Sequence, residues 1–326
     1  MTLRLCFIDE NAGHDWGQGA LASALARRFD VSTVPVDRNR PRRVSDVPDY
    51  QSYDAFVWRV KFRHLMSEEP FDWQNYEGAR LIFDMDAFQN FSAMISRRYL
   101  GQFPDVIRRN GFHALVCTGK AVRDQFRSIG INAHWVAKGY DASQIWDENR
   151  PYRDGISYFG RHYLARDAML SYLTRDGIAF TEFRCGWDQL RSQLNQFLGC
   201  LVCNMQIRGA QRVPMRVLRA LPKRWLRVEP GPEAMIKNFE VAAAGCAPIN
   251  DAIPELADLG FQDGVTMVSY ATFPELAEKT RGYLADPAAL REIGRRAAAL
   301  VRSRHTWDHR AGEVEELVRS RAYLPA

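Results

Sequence analysis

The sequence predicts an α/β protein with two parallel-sheet domains, and three observations support this prediction. Short apolar runs of strand length alternate with helical patterns through most of the 326 residues. The same order of strand, loop and helix opens both halves of the chain, and strands joined by helices form parallel sheets covered on both faces. A polar stretch at 141–155, which contains Pro151 and Gly155, divides the halves and is typical of a linker. We therefore expect two Rossmann-like, doubly wound domains, the first over 1–150 and the second from 151 onward.

The first half opens with an apolar run at 5–8, followed by a loop that contains Gly13, Gly17 and Gly19. Such loops lie at a helix N-terminus, where free N–H groups and the helix dipole favour an anion. The spacing of Gly17 and Gly19, with Asp37 twenty residues after Gly17, also permits a dinucleotide interpretation. That fingerprint needs its first glycine directly after the strand, whereas eight residues separate the run from Gly17. Nicotinamide binding is therefore kept only as a minor alternative.

The remaining apolar runs predict further strands, and the patterns between them predict helices. The predicted strands lie at 31–36, 55–60, 79–85, 113–119 and 132–137 in the first half and at 155–160, 179–183, 198–205, 246–250 and 265–270 in the second. From 273 onward the pattern is almost wholly helical, with a break at Asp286 and Pro287.

Composition and charge are typical of a soluble globular protein, expected in the cytoplasm. No apolar run approaches the ~18 residues of a membrane span. The first residues reach acidic side chains at once, so we expect them to form a strand and not a signal peptide. The net charge of +5 suits an anionic small substrate as well as a polyanion, and nothing in the charge balance requires nucleic acid as a partner.

No metal site is expected from the cysteines or the histidines. Cys200 and Cys203 lie three apart in a predicted strand, so their side chains point to opposite faces and would not easily chelate one ion. His305 and His309 lie four apart in a helical pattern, but the glutamate that a zinc-protease helix carries beside its first histidine is absent.

The segment 231–256 carries the strongest chemical signal. Lys237 and Glu240 lie three apart on a short predicted helix, so both project from one face near its start. A lysine can hold a phosphate as a point charge, and a carboxylate can accept hydrogen bonds from both hydroxyls of a ribose. The alternative is a solvated ion pair on a surface helix.

This segment resembles the nucleotide-sugar signature of glycosyltransferases of the group 1 type, with the pattern K/R-x-x-E-A-x-A-x-G-x-P-V, which have the GT-B fold. Lys237 falls on the basic position and Glu240 on the glutamate that family members use to bind the ribose. Gly245 and Pro248 fall on the glycine and proline of the motif.

Two flanking regions extend the resemblance over roughly 156–312. Upstream, the sequence from 158 onward resembles the family's GR-x-x-x-x-K-G element, which contributes phosphate contacts. Arg161 takes the arginine position of that element, and Arg166 stands where lysine is usual. Downstream, the order of "PELAEK", "YLADP" and "HTWDHR" is similar to that of the family.

The resemblance implies two Rossmann-like domains facing a cleft. It places a nucleotide-sugar-binding domain at 151–305 and a helix at 306–326 that crosses back to the first domain. It also implies that Gly17 and Gly19 lie near the phosphates of the donor. Cationic side chains would replace a metal, and the only small molecule required would be the nucleotide-diphosphate sugar itself, without a further cofactor. The expected donor-binding residues are Gly17, Gly19, Arg161, Arg166, Lys237 and Glu240.

Catalytic residues are less clearly indicated. Retaining enzymes of this type carry a first glutamate at the position of Pro232, with Glu229 and Glu233 on either side. Either could substitute for it, and Glu233 is the expected candidate. An inverting enzyme needs a base that removes the acceptor proton, for which His14 and Asp86 are candidates. A retaining enzyme could use a phosphate oxygen of the donor. His14 could equally stabilise its loop, and Asp86 could cap a helix.

The predicted function is therefore transfer of a sugar from a nucleotide-diphosphate sugar to an acceptor that no motif identifies. An epimerase or hydrolase on the same fold and a nucleotide-sugar-binding protein without catalysis are the alternatives. The segment 204–230 holds seven lysines and arginines against the single acid Glu229. It predicts a solvated basic face, a clamp on the donor diphosphate or a docking surface for an acidic acceptor.

Overall fold

The computed structural model describes residues 2–9, 19–35, 44, 47–59, 62, 65–66, 70–92, 97–144, 146–208 and 215–324. The chain divides into two compact units. The first unit comprises Met1–Phe91, Arg98–Asp141 and Trp307–Ala326, and the second comprises Ser92–Arg97 and Ala142–Thr306.

Strands and helices alternate along both units. The strands are β1 (Arg4–Asp9), β2 (Asp30–Pro35), β3 (Ala55–Arg59), β4 (Ala79–Asp84), β5 (Ala114–Cys117), β6 (Ala133–Trp135), β7 (Ile156–Phe159), β8 (Thr181–Phe183), β9 (Gly199–Val202), β10 (Gln206–Ile207), β11 (Val228–Glu229), β12 (Ala247–Asp251) and β13 (Val268–Tyr270). The helices are α1 (Gly19–Ala26), α2 (Phe103–Arg109), α3 (Lys120–Ser128), α4 (Leu164–Arg175), α5 (Trp187–Leu194), α6 (Met215–Ala220), α7 (Ile236–Ala243), α8 (Pro254–Asp258), α9 (Phe273–Ala285), α10 (Pro287–Arg304) and α11 (Trp307–Arg319).

The first unit is built on a parallel sheet with the strand order β2-β1-β3-β4-β5-β6. Strands β3 and β5 are buried along their whole length, as expected where helices cover both faces. Helix α11 packs on α1, where Arg27 pairs with Asp308 and Arg28 pairs with Glu315. The last helix of the chain is therefore part of the first unit.

The second unit is built on a parallel sheet with the order β13-β12-β9-β7-β8. Helix α7 precedes β12 and packs against it and against α10. The predicted break in the C-terminal helices is confirmed, because α9 ends at Ala285 and the Asp286 side chain caps α10 by accepting a hydrogen bond from the Ala289 N–H at 3.1 Å. The predicted class, two α/β units with parallel sheets, is confirmed.

An excursion separates β9 from α7, where parallel strands joined by a helix need only a short connection. Its ends form a small antiparallel pair in which Gln206 of β10 faces Glu229 of β11. Between them lie α6 and a 3-10 turn over Lys223–Trp225. No helix in the described ranges combines the length and the apolar character needed to cross a membrane.

Candidate functional site

The candidate site lies at the carboxyl edge of the second unit's sheet. Strands β7, β9 and β12 run parallel, so their carboxyl ends meet at one edge. The loop 160–163 follows β7 at this edge. Helix α7 leads back to the start of β12, so its own N-terminus lies at the same edge. Ligands of open parallel sheets bind at such edges.

Lys237 is held in the first turn of α7. Its Nζ donates a hydrogen bond to the backbone carbonyl of Phe159, the last residue of β7. The ammonium also lies 4.2 Å from the ring centre of Phe159 and 5.2 Å from that of Tyr158. Burial, reinforced by the positive charge of Arg166, lowers the pKa of Lys237 to about 7. No acidic side chain among the residues described here forms an ion pair with it.

Gly160 leaves room for two cations. Its φ of +107° lies in the region that favours glycine. A Cβ at this position would overlap Nζ of Lys237 and would lie 3.7 Å from Nη1 of Arg166. Two positive groups therefore converge on the backbone at the end of β7, and the space beside it depends on the absence of a side chain.

Arg166 is buried and shapes the loop that carries Arg161. Its Nε donates to the carbonyl of Cys203 at 3.1 Å, and its Nη1 donates to the carbonyl of Arg161 at 2.9 Å. The guanidinium carbon lies 4.3 Å from the ring centre of Tyr163. The side chain of Arg161 itself is exposed. Of the two predicted arginines, Arg166 thus holds the loop together and Arg161 extends from it.

Glu240 lies one turn further along α7 and is only 3% exposed. Its carboxylate accepts no hydrogen bond and forms no ion pair within the described parts of the chain. Burial raises its pKa to about 8, although the charge of Lys237 acts in the opposite direction. The solvated ion pair that was an alternative for these two residues is wrong, because Glu240 is buried and the two side chains do not pair.

A buried polar cluster, which sequence reasoning missed, lies beside these residues. The N–H of Asn204, just after β9, donates to Oδ1 of Asp251 at 2.6 Å, and its Nδ2 donates to Oδ1 of Asn250 at 2.7 Å. Burial raises the pKa of Asp251 to about 6. Oδ2 of Asp251 and Oδ1 of Asn204 have no hydrogen-bond partner within the described chain. In the sequence, this cluster was indicated by the position of Asn204 and Asp251 just after or at the end of a strand.

His162 links the loop 160–163, which follows β7, to neighbouring elements. Its Nδ1 lies 2.7 Å from Oδ1 of Asp167 in α4, and its Nε2 lies 2.7 Å from Oε1 of Glu182 in β8. Hydrogen bonds to Glu182 and Asp167 raise the pKa of this histidine. The imidazole ring thereby joins the loop to two elements, and the sequence held no motif for this contact.

The predicted catalytic residues lie in different places. Glu233 lies in the turn before α7 and is fully buried. Asp86 is exposed after β4 in the first unit, where its N–H donates to Oδ1 of Asp84 at 2.7 Å. Its side chain makes no cap bond to the following 3-10 turn. Gly19 is the first residue of α1. His14 and Gly17, like Gly13 and Asp37, lie outside the described residues.

The described residues include no group of three or more histidine, cysteine or acidic side chains placed to hold a metal ion. Cys200 and Cys203 are both buried as free thiols. The Nε2 of His305 lies 2.7 Å from the carbonyl of Leu259, and its ring stacks on Phe261.

Residues 218–316 match a protein-family model described as "Glycosyl transferase-like", a range that includes Lys237 and Glu240. No curated protein matches the chain. Among solved structures, sucrose-phosphate synthase from Thermosynechococcus elongatus is similar with a TM-score of 0.61 and 14% identity, over 98% of both chains. HepE from Anabaena, crystallised with UDP and glucose, is similar with a TM-score of 0.62 and 12% identity, over 98% of this chain and 100% of HepE.

The structural similarity and the family match support different parts of the predicted resemblance. The structural similarity spans nearly the whole chain and, at such low identity, concerns the fold. The family match covers α7, β12 and the following helices of the second unit and extends into α11 of the first unit. The expected resemblance to glycosyltransferases with the GT-B fold is therefore confirmed.

Proposed function

We propose that this protein transfers a sugar from a nucleoside diphosphate sugar to an acceptor, and that the second unit holds the donor. The observation that carries the proposal is the state of Lys237 and Glu240. Both project from α7 at the carboxyl edge of the sheet, and neither forms an ion pair with the other or with any other described residue. Ionisable groups kept in this way are stabilised only when a ligand supplies the missing partners.

The diphosphate would lie beside Gly160. The Lys237 ammonium and the Arg166 guanidinium approach this point together, so a dianion placed there would offset their mutual repulsion. The exposed guanidinium of Arg161 would close over the phosphates from the same loop. His162 would act as a positioning residue, since it fastens that loop to α4 and β8.

The ribose would be held by Glu240. A carboxylate that accepts two hydrogen bonds from neighbouring hydroxyls is a strong and directional contact. Glu240 lies three residues after Lys237 on the same helix, so the two side chains are neighbours and are placed to contact adjacent parts of one ligand. Hydrogen bonds from the hydroxyls would also offset the burial that raises the pKa of this carboxyl.

The cations would carry most of the catalysis. When the bond between the sugar carbon and the diphosphate oxygen breaks, negative charge develops on the leaving group. Lys237, Arg161 and Arg166 would stabilise that charge, which in other enzymes is the role of a divalent metal. We therefore propose that the reaction is independent of metal. The departing bond is replaced by one between the sugar carbon and an acceptor oxygen.

The acceptor proton needs a base, and the choice of base follows the stereochemistry. An inverting reaction would use Asp86 or His14 as the base. A retaining reaction would use a phosphate oxygen of the donor, with Glu233, in the turn before α7, in the role of the first glutamate. Proton magnetic resonance of the first-formed product distinguishes the two, because the coupling at the anomeric proton reports the new configuration.

A uridine nucleotide is the first donor to test, because HepE was crystallised with UDP-glucose. Calorimetric titrations with UDP, GDP, dTDP, ADP and NAD should compare the wild type with Glu240→Ala. We expect one nucleoside diphosphate to bind, and its affinity to fall by about 100-fold in the variant, since a buried charged contact is worth roughly 2–5 kcal/mol. Glu292→Ala, on the exposed surface of α10, is the matched control and should bind like the wild type.

Two results would contradict the proposal. If only NAD bound, and Glu240→Ala bound it equally well, the opening glycines would belong to a dinucleotide site. If the intact donor were hydrolysed or epimerised at the full rate without any acceptor, the fold would serve one of the two alternative reactions.

A further inference from the structure

The excursion between β9 and α7 presents a surface for which the proposed reaction has no use. Residues 215–227 contain five cations and no acid. All five are exposed, and we call them the basic face: Arg216, Arg219, Lys223, Arg224 and Arg227. Two apolar side chains of this segment, Leu218 and Leu226, are buried. The face is therefore built onto the second unit and is not a loose extension.

The cations of the basic face lack the acidic partners that other surface arginines have. On α10, for comparison, Arg295 and Arg296 both bond to Glu292 at 2.7 Å. No arginine of the basic face forms an ion pair within the described structure, and Lys223 contacts only the hydroxyl of Ser171 at 3.2 Å. Five positive charges are thus concentrated on one short segment without internal neutralisation, which makes the face attractive to an anionic surface.

Two apolar side chains stand among these cations. Trp225 is 62% exposed and Val217 is 42% exposed. The guanidinium carbon of Arg224 lies 5.8 Å from the ring centre of Trp225. Tryptophan surrounded by arginine and lysine is the composition of segments that lie in the headgroup region of a bilayer, with the apolar side chains inserted and the cations against phosphates.

We propose that the basic face docks the protein on an anionic lipid bilayer as a peripheral enzyme, with Trp225 and Val217 entering the headgroup region. A bilayer fits better than a nucleic acid, because single-strand binders interleave several aromatic side chains and this face offers one. It also fits better than an acidic polysaccharide, because an exposed valine finds no apolar partner on a polyanion. A lipid surface satisfies both the charges and the apolar side chains.

Docking would have a consequence for catalysis if the proposed function holds. The excursion leaves the sheet at the carboxyl end of β9 and returns directly in front of α7, so it belongs to the same edge as Lys237 and Glu240. An enzyme bound through this face would carry its donor-binding helix close to the lipid surface, where an acceptor attached to lipid is displayed.

The test is co-sedimentation of the full chain with vesicles of phosphatidylcholine, with and without phosphatidylglycerol. We expect binding only to the vesicles that contain phosphatidylglycerol. Arg216→Glu/Arg219→Glu should weaken it by about 25-fold or more, since each cation near such a surface contributes about fivefold. Trp225→Ala should weaken it further in a way that added salt does not reproduce, because insertion is apolar.

Arg302→Glu/Arg304→Glu is the matched control, because both arginines are exposed on α10 and the change in net charge is the same. An equal loss in that control would show that net charge alone is responsible and would overturn the proposal. Binding to polyuridylate or dextran sulfate, with none to either vesicle, would overturn it in favour of an acidic polymer. Unchanged thermal unfolding midpoints would show that the variants fold, and this readout does not depend on donor binding.

Discussion

The carboxyl edges of the two sheets differ in whether their buried charged side chains form an ion pair. In the first unit, Asp9 ends β1 and Arg59 ends β3, and the two residues face each other in the parallel register. Their side chains form a two-point ion pair, with Nε of Arg59 3.1 Å from Oδ1 of Asp9, and both are at least 95% buried. In the second unit, Lys237 and Glu240 lie at the corresponding edge without an ion pair.

This difference separates a structural role from a binding role. A buried charge that is neutralised within the fold depends on its partner for the stability of the folded chain and leaves little for a ligand. A charge that the fold leaves unneutralised destabilises the empty protein and strengthens its complex with the right ligand. The four predictions below test this contrast, beginning with the first unit.

The largest effect is expected from Asp9→Ala. The substitution would leave the Arg59 guanidinium buried without its carboxylate, which costs about 3–5 kcal/mol of the free energy of unfolding. Urea denaturation measures this loss. Asp30→Ala is the control, because the pair of Asp30 with Arg4 is exposed and contributes about 0–1 kcal/mol. An equal loss in the free energy of unfolding of Asp9→Ala and Asp30→Ala would contradict a special role of the buried pair.

Lys237→Met should weaken donor binding without loss of stability, in contrast to Asp9→Ala. Replacing a partly desolvated ammonium by an apolar side chain of similar length should keep or raise the thermal unfolding midpoint. Affinity for the nucleoside diphosphate should fall by about 100-fold, because the diphosphate loses a buried cation. Calorimetry and a melting curve on the same sample measure both effects. Lys279→Met is the control, since Lys279 is paired with Asp263 and Glu275 at the surface. Full donor affinity in Lys237→Met would remove the lysine from the site.

The order of strands and helices could be predicted from the sequence because apolar runs and helical spacing are local patterns. The placement of Lys237 and Glu240 on one face of a helix could be predicted for the same reason. Their burial could not, since it arises where α7 packs against β12 and α10, which are brought together only in the folded sheet. Arg166 lies beside Lys237 in the structure, and its bonds to the carbonyls of Cys203 and Arg161 depend on tertiary structure, so no local pattern predicts them.

The polar cluster of Asn204, Asn250 and Asp251 illustrates the same limit of local patterns. Asp251 and Asn204 each follow or end an apolar run, as Asp84 does in the first unit. Which of several such residues face one another depends on strand order, and the neighbours β9 and β12 are far apart in the chain. Parallel pairing of distant strands leaves no signature in either strand alone.

Gly160→Ala tests the space between the two cations, with an intermediate expected effect. The new Cβ would displace the Lys237 ammonium, so we expect donor affinity to fall by about tenfold or more. Gly155→Ala is the control. It shares a positive φ, of +59°, but its Cβ would meet nothing within 4 Å. Both variants should lose about 1–2 kcal/mol of stability through backbone strain, and only Gly160→Ala should lose affinity. Equal affinities in the two variants would show that strain, and not the cation, is what the glycine serves.

The smallest effect is a pH dependence of donor binding. The pKa of Lys237 is about 7 in the empty protein, and a bound diphosphate would raise it. Above pH 7 binding must therefore take up a proton at Lys237, and the contribution of Lys237 to affinity should fall by about fivefold between pH 7 and pH 8. Calorimetry in two buffers of different ionisation enthalpy measures the uptake directly. In Lys237→Arg the cation stays charged throughout this range, so the fall should disappear. A fall that survives in Lys237→Arg would belong to a group other than Lys237. Ionisation of Glu240, whose pKa is raised to about 8, would increase affinity over the same pH range and so has the opposite sign.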